Sequence, residues 1–136
     1  MENSAHKQSK STDRAERFMK KLFEFTVDCY QEKRGGYSTL LGIYCSHCSS
    51  FLFFYQKDGE GDLFRCYLNR ILSPERYASI QHDPGIKDMA DMPLLSCHHC
   101  GAIIGDPMRH SDDRLAFCMR PDSFKQELNS NYVEAA

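Results

Sequence analysis

The chain has 136 residues, a size that suits one domain, and a net charge of only −2 at pH 7. Its acidic and basic residues are interspersed, so no stretch is basic enough for a phosphate-binding surface or an anionic membrane. The longest apolar run, at residues 51–55, is far shorter than the ~20 residues of a membrane-spanning helix. Residues 1–17 lack the apolar core of a signal peptide. We therefore expect a cytoplasmic protein that has no contact with membranes, and nucleic-acid binding is disfavoured.

The N-terminal part of the sequence divides into a polar tail and a helix. Residues 1–12 are almost entirely polar, and we expect them to be disordered. From residue 13 to residue 34 the apolar side chains recur at helical spacing, and Gly35-Gly36 supplies a stop signal. We assign residues 13–36 to an amphipathic helix packed on its own domain, with docking to a partner as the alternative. The helical stripe consists of Phe18, Leu22, Phe25 and Cys29.

After Gly36 the composition favours β-strands, and we assign residues 37–128 to one β domain. A turn with two glycines at residues 57–62 predicts that the strands on either side of it form a hairpin. A short helix is expected to start at residues 73–76, and residues 129–136 are expected to form a C-terminal tail. The predicted strands are residues 37–44, 51–56, 63–72, 94–97, 102–104 and 114–119, with a loop at 81–93 and a terminal turn or helix at 121–128.

Two Cys-x-x-Cys pairs, Cys45/Cys48 and Cys97/Cys100, carry the clearest chemical signal. Two intervening residues allow both sulfurs of a pair to point at one ion from a tight turn, and two such turns complete a tetrahedron of thiolates that suits zinc. Gly101 allows the chain to leave the second turn with a positive φ. We predict one structural Zn²⁺ held by these four cysteines. A site closed by four thiolates has no open position for water, so we predict no catalytic residue there.

The remaining cysteines and histidines are interpreted more simply. Cys29 lies on the apolar stripe of the predicted helix, and Cys66 and Cys118 alternate with apolar residues on predicted strands, so each is expected to be a small buried hydrophobe. Three histidines lie inside or beside the Cys-x-x-Cys turns, and we expect them to be at the surface or to support the ligands from outside. These histidines are His47, His98 and His99.

Several motifs together resemble an uncharacterised group of small bacterial zinc-binding proteins. The stretch at residues 57–71 (KDGEGDLFRCYLNRI) lies between the two cysteine pairs, and residues 114–124 (RLAFCMRPDSF) follow them. The likeness covers about residues 43–126, with Asn69 where the group usually has Asp. It implies a shared fold and a bound metal, but it implies no activity.

The layout is also similar to methionine sulfoxide reductase B and its relatives in the β-tent class. In that enzyme a catalytic cysteine lies about twenty residues after the last zinc cysteine, and here Cys118 lies 18 residues after Cys100. Cys66 falls where some of these reductases keep a recycling cysteine. The chain departs from the reductase because it has no tryptophan, because Met119 and Arg120 follow Cys118, and because a histidine expected after the last zinc turn is missing.

From these observations we predict a mainly β domain, zinc-bound and either β-tent-like or an extended zinc ribbon, with an N-terminal helix. We expect it to be a non-catalytic binding module for a protein or a small ligand. The alternative is a thiol-dependent reductase that uses Cys118 and Cys66.

Overall fold

The computed structural model of the protein describes residues 24–129, and over this range the fold is mainly β, as the sequence predicts. The described strands are β1 Ser38–Cys45, β2 Phe51–Asp58, β3 Arg65–Tyr67, β4 Ile71–Ser73, β5 Leu95–Ser96, β6 Ile103–Arg109, β7 Leu115–Met119 and β8 Phe124–Leu128. They form two four-stranded antiparallel sheets, one with the order β4-β2-β1-β8 and the other with the order β3-β7-β6-β5.

In the first sheet, β1 and β2 form a hairpin that runs from the pair Ser38/Asp58 to the pair Tyr44/Phe51. The predicted turn or helix at residues 121–128 is wrong, because Phe124–Leu128 is a strand that pairs with the free edge of β1. Most of β8 is exposed, as expected of an edge strand that carries charged residues. The predicted strands at residues 37–44 and 51–56 are confirmed.

The predicted strand at residues 63–72 divides between the two sheets. A 3-10 turn, Leu68–Arg70, separates β3 from β4 and points both Leu68 and Arg70 inward. β4 pairs with β2, which agrees with the predicted hairpin, but β3 leaves the first sheet and pairs with β7 in the second. The chain therefore crosses between the sheets here, and both sheets contribute to one buried core. Its largest fully buried apolar side chains are Phe53, Phe117, Leu40, Ile43, Leu52, Ile71, Leu95 and Ile104.

Of the described residues within the predicted N-terminal helix, 24–36, only Cys29–Lys33 form a helix, α1. Asp28 has an extended backbone and caps α1, because its carboxylate accepts the N–H groups of Tyr30 and Gln31. Residues 24–27 are not helical, so the prediction of a continuous helix from residue 13 to residue 34 is wrong for these four residues. Residues 1–23 and 130–136 lie outside the described residues, and with them residues 13–23 of the predicted helix, the predicted N-terminal tail and all but the first residue of the predicted C-terminal tail.

A buried polar network fastens this N-terminal segment to the first sheet. Arg70 is fully buried, and its guanidinium contacts Asp28 at 2.6 Å and Asp58 at 2.9 Å. The hydroxyl of Ser38 donates to Asp58, and it accepts a hydrogen bond from the buried side-chain amide of Gln31 on α1. Because buried charges are tolerated only when they are paired and hydrogen-bonded, this network specifies where α1 sits.

The chain between β4 and β5 holds a second short helix, α2 Glu75–Ala78, close to the predicted helix start at residues 73–76. Two 3-10 turns, Ser79–His82 and Met89–Asp91, interrupt the predicted loop. Among residues 24–129, no helix has both the length and the apolar character needed to cross a membrane.

Candidate metal centre

The first cysteine turn connects β1 to β2. The N–H of Ser49 donates to the carbonyl of Cys45 at 2.8 Å, and the N–H of Cys45 donates to the carbonyl of Ser50 at 2.9 Å. Ser49 adopts a positive φ of 67°, which allows the chain to reverse directly after Cys48. A further bond, from the N–H of Ser46 to the carbonyl of Ser123, holds this turn against the chain that enters β8.

The second cysteine turn connects β5 to β6 and repeats the same backbone pattern. The N–H of Gly101 donates to the carbonyl of Cys97 at 2.9 Å, and the N–H of Cys97 donates to the carbonyl of Ala102 at 2.8 Å. Gly101 has a φ of 80°, as predicted from its position after Cys100. The two turns are therefore equivalent in backbone structure, although one belongs to each sheet.

The structure brings the four predicted ligands together. The Sγ atoms of Cys45 and Cys100 are 3.7 Å apart, those of Cys48 and Cys97 are 3.6 Å apart, and all four lie within 4.8 Å of one another. Each close pair joins one turn to the other. These separations are well beyond the ~2.05 Å of a disulfide bond. The cluster can therefore hold one metal ion between the two sheets.

Local hydrogen bonds prepare parts of the cluster for ionised sulfur. The hydroxyl of Ser50 lies 3.2 Å from the Sγ of Cys48 and, with the backbone of Ser50, lowers the pKa of Cys48 to about 5. The backbone N–H of Ala102 lowers the pKa of Cys100, but desolvation and the three neighbouring thiols outweigh it and raise this pKa to about 11. Four thiolates repel one another at these distances, so a bound cation is what allows all four to ionise together.

Tyr77 on α2 supports the second turn, and sequence reasoning missed this role. Its hydroxyl donates to the carbonyl of Ser96 at 2.9 Å and accepts the N–H of His98 at 3.0 Å, so it spans the residues on either side of Cys97. No spacing in the sequence connects a tyrosine to a turn twenty residues later. The histidines of the two turns are exposed: they are His47, His98 and His99.

Of the three cysteines outside the cluster, only Cys66 is buried as predicted, and its burial raises the pKa of its thiol. The predicted burial of Cys118 is wrong. Cys118 shares a face of β7 with the buried Ala116, but Ala116 is flanked by Tyr67 and Met108, whereas Cys118 is flanked by Arg65 and Asp106. Cys29 is also exposed, because α1 turns Gln31 and not its cysteine toward the sheet.

Cys66 and Cys118 lie on opposite faces of the second sheet. Cys66 pairs with Phe117 in the register of β3 and β7, and Arg65 pairs with Cys118. Directly paired residues share a face and successive residues alternate, so the Cys66 thiol points into the core and the Cys118 thiol points to solvent. A disulfide between them requires the sheet to come apart.

A cleft of about 510 Å³ lies at the end of the β1–β2 hairpin remote from the cluster. At this end Asp58 pairs with Ser38, which is seven residues, or about 23 Å of strand, from Cys45. Sequence reasoning did not identify this cleft, because its residues come from α1, β2, the loop between β2 and β3, β3 itself and the chain before β7. They include Tyr30, Lys57, Phe64, Arg65, Tyr67 and Arg114.

Comparisons of the chain with protein families, with curated proteins and with solved structures returned no match. The four-cysteine cluster and the cleft are therefore the features from which a function has to be argued.

Proposed function

We propose that this protein is a structural-zinc-binding domain that acts as a non-catalytic binding module for a small ligand or a protein. The observation that carries the metal part is the spacing of the sulfurs. A zinc ion with Zn–S bonds of about 2.3 Å in a tetrahedron separates its sulfurs by about 3.8 Å. The two close pairs, at 3.7 and 3.6 Å, fit this edge length.

The position of the cluster supports a structural role for the zinc. One cysteine turn belongs to each sheet, so an ion bound to both turns cross-links the sheets at one end. Four thiolates fill a tetrahedral ion and leave no position for water or substrate. This frame also agrees with the resemblance to β-tent proteins and to the small bacterial zinc proteins, which we keep as part of the proposal. Seven cysteines without a disulfide, four of them proposed as thiolate ligands, suit the reducing cytoplasm, the location we propose.

The cleft supports a binding role for the domain. It lies about 23 Å along β1 from the metal, so a ligand bound there does not meet the ion. Two strands from different sheets line it, so metal binding stabilises the cleft indirectly by holding the sheets together. The alternative, a reductase that uses Cys118 and Cys66, is disfavoured because the two thiols lie on opposite faces of a sheet.

Metal analysis tests this proposal. We expect one zinc per chain, and we expect the protein to unfold when a strong chelator removes the zinc, because zinc binding contributes about 10 kcal/mol or more at such sites and total stability is of similar size. Cys48→Ser should lose the zinc and most of the stability. Cys29→Ser and Cys118→Ser, which change exposed cysteines outside the cluster, are the matched controls and should keep both. A folded protein without metal, or a fold that survives chelation, would contradict the proposal.

A further inference from the structure

The geometry points to the cleft as a binding site for a small ligand that carries a carboxylate or phosphate group beside an aromatic or other planar group. This inference rests on the proposed function, since it names the ligand class of the binding module. A volume of about 510 Å³ falls in the range of sites for small molecules.

Lys57 is the first group that favours an anion. It is only 8% exposed, and the sole described acceptor for the three N–H groups of its ammonium is the carbonyl of Gly59 at 3.3 Å. Within residues 24–129, no carboxylate lies within 4.0 Å of its Nζ atom. Burial and the nearby Arg34 lower the pKa of Lys57. An anion bound in the cleft gives this amine the charged partner that a buried ammonium needs.

Arg65 is the second such group. Its Nε atom donates to the hydroxyl of Tyr67 at 3.1 Å, and its two Nη groups have no acceptor among the residues that the structure describes. A guanidinium with both terminal groups open can bind the two oxygens of a carboxylate or phosphate in parallel.

Tyr55 places Lys57 and Arg65 in the same cleft. Tyr55 and Lys57 are two residues apart on β2, so their side chains share one face of the strand. The hydroxyl of Tyr55 accepts the N–H of Tyr67 at 2.9 Å and donates to the carbonyl of Arg65 at 3.4 Å. This buried side chain thus ties β3 to β2 where the two cationic residues line the cleft.

Two of the four carboxylates that line the cleft are already in ion pairs. Asp58 contacts Arg70 at 2.9 Å, and Asp112 contacts Arg114 at 3.0 Å. Glu60 is exposed and forms no ion pair within residues 24–129. Asp62 remains exposed and has no ion pair among the described residues. No carboxylate that lines the cleft forms an ion pair with Lys57 or Arg65, although Asp58, Glu60 and Asp62 lie near enough to Lys57 to favour its charged form. A ligand anion can therefore pair directly with both cations.

Aromatic side chains supply a surface for a planar group. The guanidinium of Arg114 lies between the rings of Tyr30 and Tyr67, at 3.8 and 3.6 Å from their centroids. This stack joins α1 to β3 and stiffens one wall of the cleft. Phe64 lines the same cleft and is 66% exposed, so it offers apolar area that a ligand can cover.

Titration of the zinc-loaded full chain, followed by NMR and calorimetry, tests this inference. The probes are phenyl phosphate, benzoate, phenol and inorganic phosphate. We expect phenyl phosphate or benzoate to bind at one site per chain and to shift the signals of Lys57, Arg65 and Tyr67. Whichever of the two binds more tightly identifies the anionic group. Phenol should bind at least about tenfold more weakly, because it lacks the charge that pairs with Lys57 and Arg65.

Variants separate the cleft from nonspecific attraction. Lys57→Met keeps the length of the side chain, and Arg65→Gln keeps a donor for Tyr67; each should weaken the better probe by about tenfold or more. Arg120→Gln is the matched control, since Arg120 is paired with Asp106 and does not line the cleft, and it should change nothing. Zinc content and NMR spectra show whether each variant is folded. If one of the two cleft variants does not fold, the other still tests the inference.

Three results would overturn the inference. One is no saturable binding of phenyl phosphate or benzoate at about 10 mM, tenfold above a Kd of about 1 mM. Another is that phenol binds as tightly as the better probe, which would show that the ligand needs no charge, or that inorganic phosphate does so, which would show that it needs no planar group. The third is binding that neither cleft variant weakens. If any of these results is obtained with one zinc bound per chain, the metal proposal still stands. If the protein contains no zinc, the metal proposal is contradicted, whatever the probes show.

Discussion

The two cysteine turns show at single residues what the sequence can and cannot reveal. Gly101 was predicted to have a positive φ because glycine adopts that conformation without strain. Ser49 occupies the equivalent position and has φ 67°, but serine carries no such signal. The four cysteines that the fold brings together could be identified from their spacing alone. The supporting contacts of Ser50 and Tyr77 could not, because they depend on how the turns pack.

The difference between Ser49 and Gly101 can be tested by exchange. Gly101→Ala should lower the free energy of unfolding of the metal-loaded protein by about 1 kcal/mol, because a Cβ strains the positive φ. No atom beyond residue 101 and its two chain neighbours lies within 4 Å of that Cβ, so the cost comes from the backbone conformation alone. Ser49→Gly should leave stability within about 0.5 kcal/mol, since relief of strain and added chain entropy offset each other. Denaturant unfolding measures both, and an equal loss in the two variants would contradict this account of backbone strain at positive φ.

At the level of strands, the sequence predicted the elements better than their partners. Local patterns located β1, β2 and β7, because alternation and β-forming residues are properties of the strand itself. β8 was missed, since an exposed edge strand has no apolar alternation and is specified by its pairing with β1. The division of residues 63–72 between two sheets was missed for a similar reason: Arg70 is buried by ion pairs that come from distant parts of the chain.

The two faces of the β3–β7 pair predict different reactivity for the two thiols on it. In the metal-loaded protein Cys118 should react with iodoacetamide readily, whereas Cys66 should react only when the sheet opens. An opening free energy of about 3 kcal/mol slows labelling about a hundredfold. Mass spectrometry of the labelled peptides measures both rates.

The same pair provides the test of the reductase alternative. Mild peroxide should give no disulfide between Cys66 and Cys118 in the native protein, because the thiols lie on opposite faces of the sheet. Cys118→Ser serves as the control for other oxidised products. A rapid Cys66–Cys118 disulfide, with loss of methionine sulfoxide reduction in Cys118→Ser while zinc is retained, would establish the reductase in place of the binding module.

In the whole molecule, two kinds of link join parts that are distant in sequence. The cysteine cluster joins the sheets at one end, and the ion pairs of Arg70 join the N-terminal segment to the other end of the β1–β2 hairpin. Sequence spacing revealed the first link because four cysteines in two pairs form a recognisable pattern. It did not reveal the second, because aspartates and arginines are common at surfaces and only the fold shows that these are buried.

The second link leads to a prediction about Asp28. Burial opposes its ionisation, but hydrogen bonds from Arg70 and from the backbone of α1 outweigh this and hold the pKa of its carboxyl below the usual value. Asp28→Asn keeps the cap on α1 and removes only the charge, so the buried Arg70 loses one of its two carboxylate partners. We expect a loss of about 2 kcal/mol at pH 7, less than for a fully broken buried pair because Asp58 remains.

Asp88→Asn is the matched control, since Asp88 also caps a turn and also pairs with an arginine, but its side chain is 63% exposed. Its loss should be at most about 0.5 kcal/mol. Because the pKa of Asp28 is lower in the folded state, its contribution is complete above the unfolded value of about 3.9 and disappears as the pH falls through the folded value. The gap between wild type and Asp28→Asn should therefore be equal at pH 7 and pH 5 and narrow below about pH 4. Equal losses in the two variants at pH 7 would mean that the Arg70 network does not hold the N-terminal segment in place.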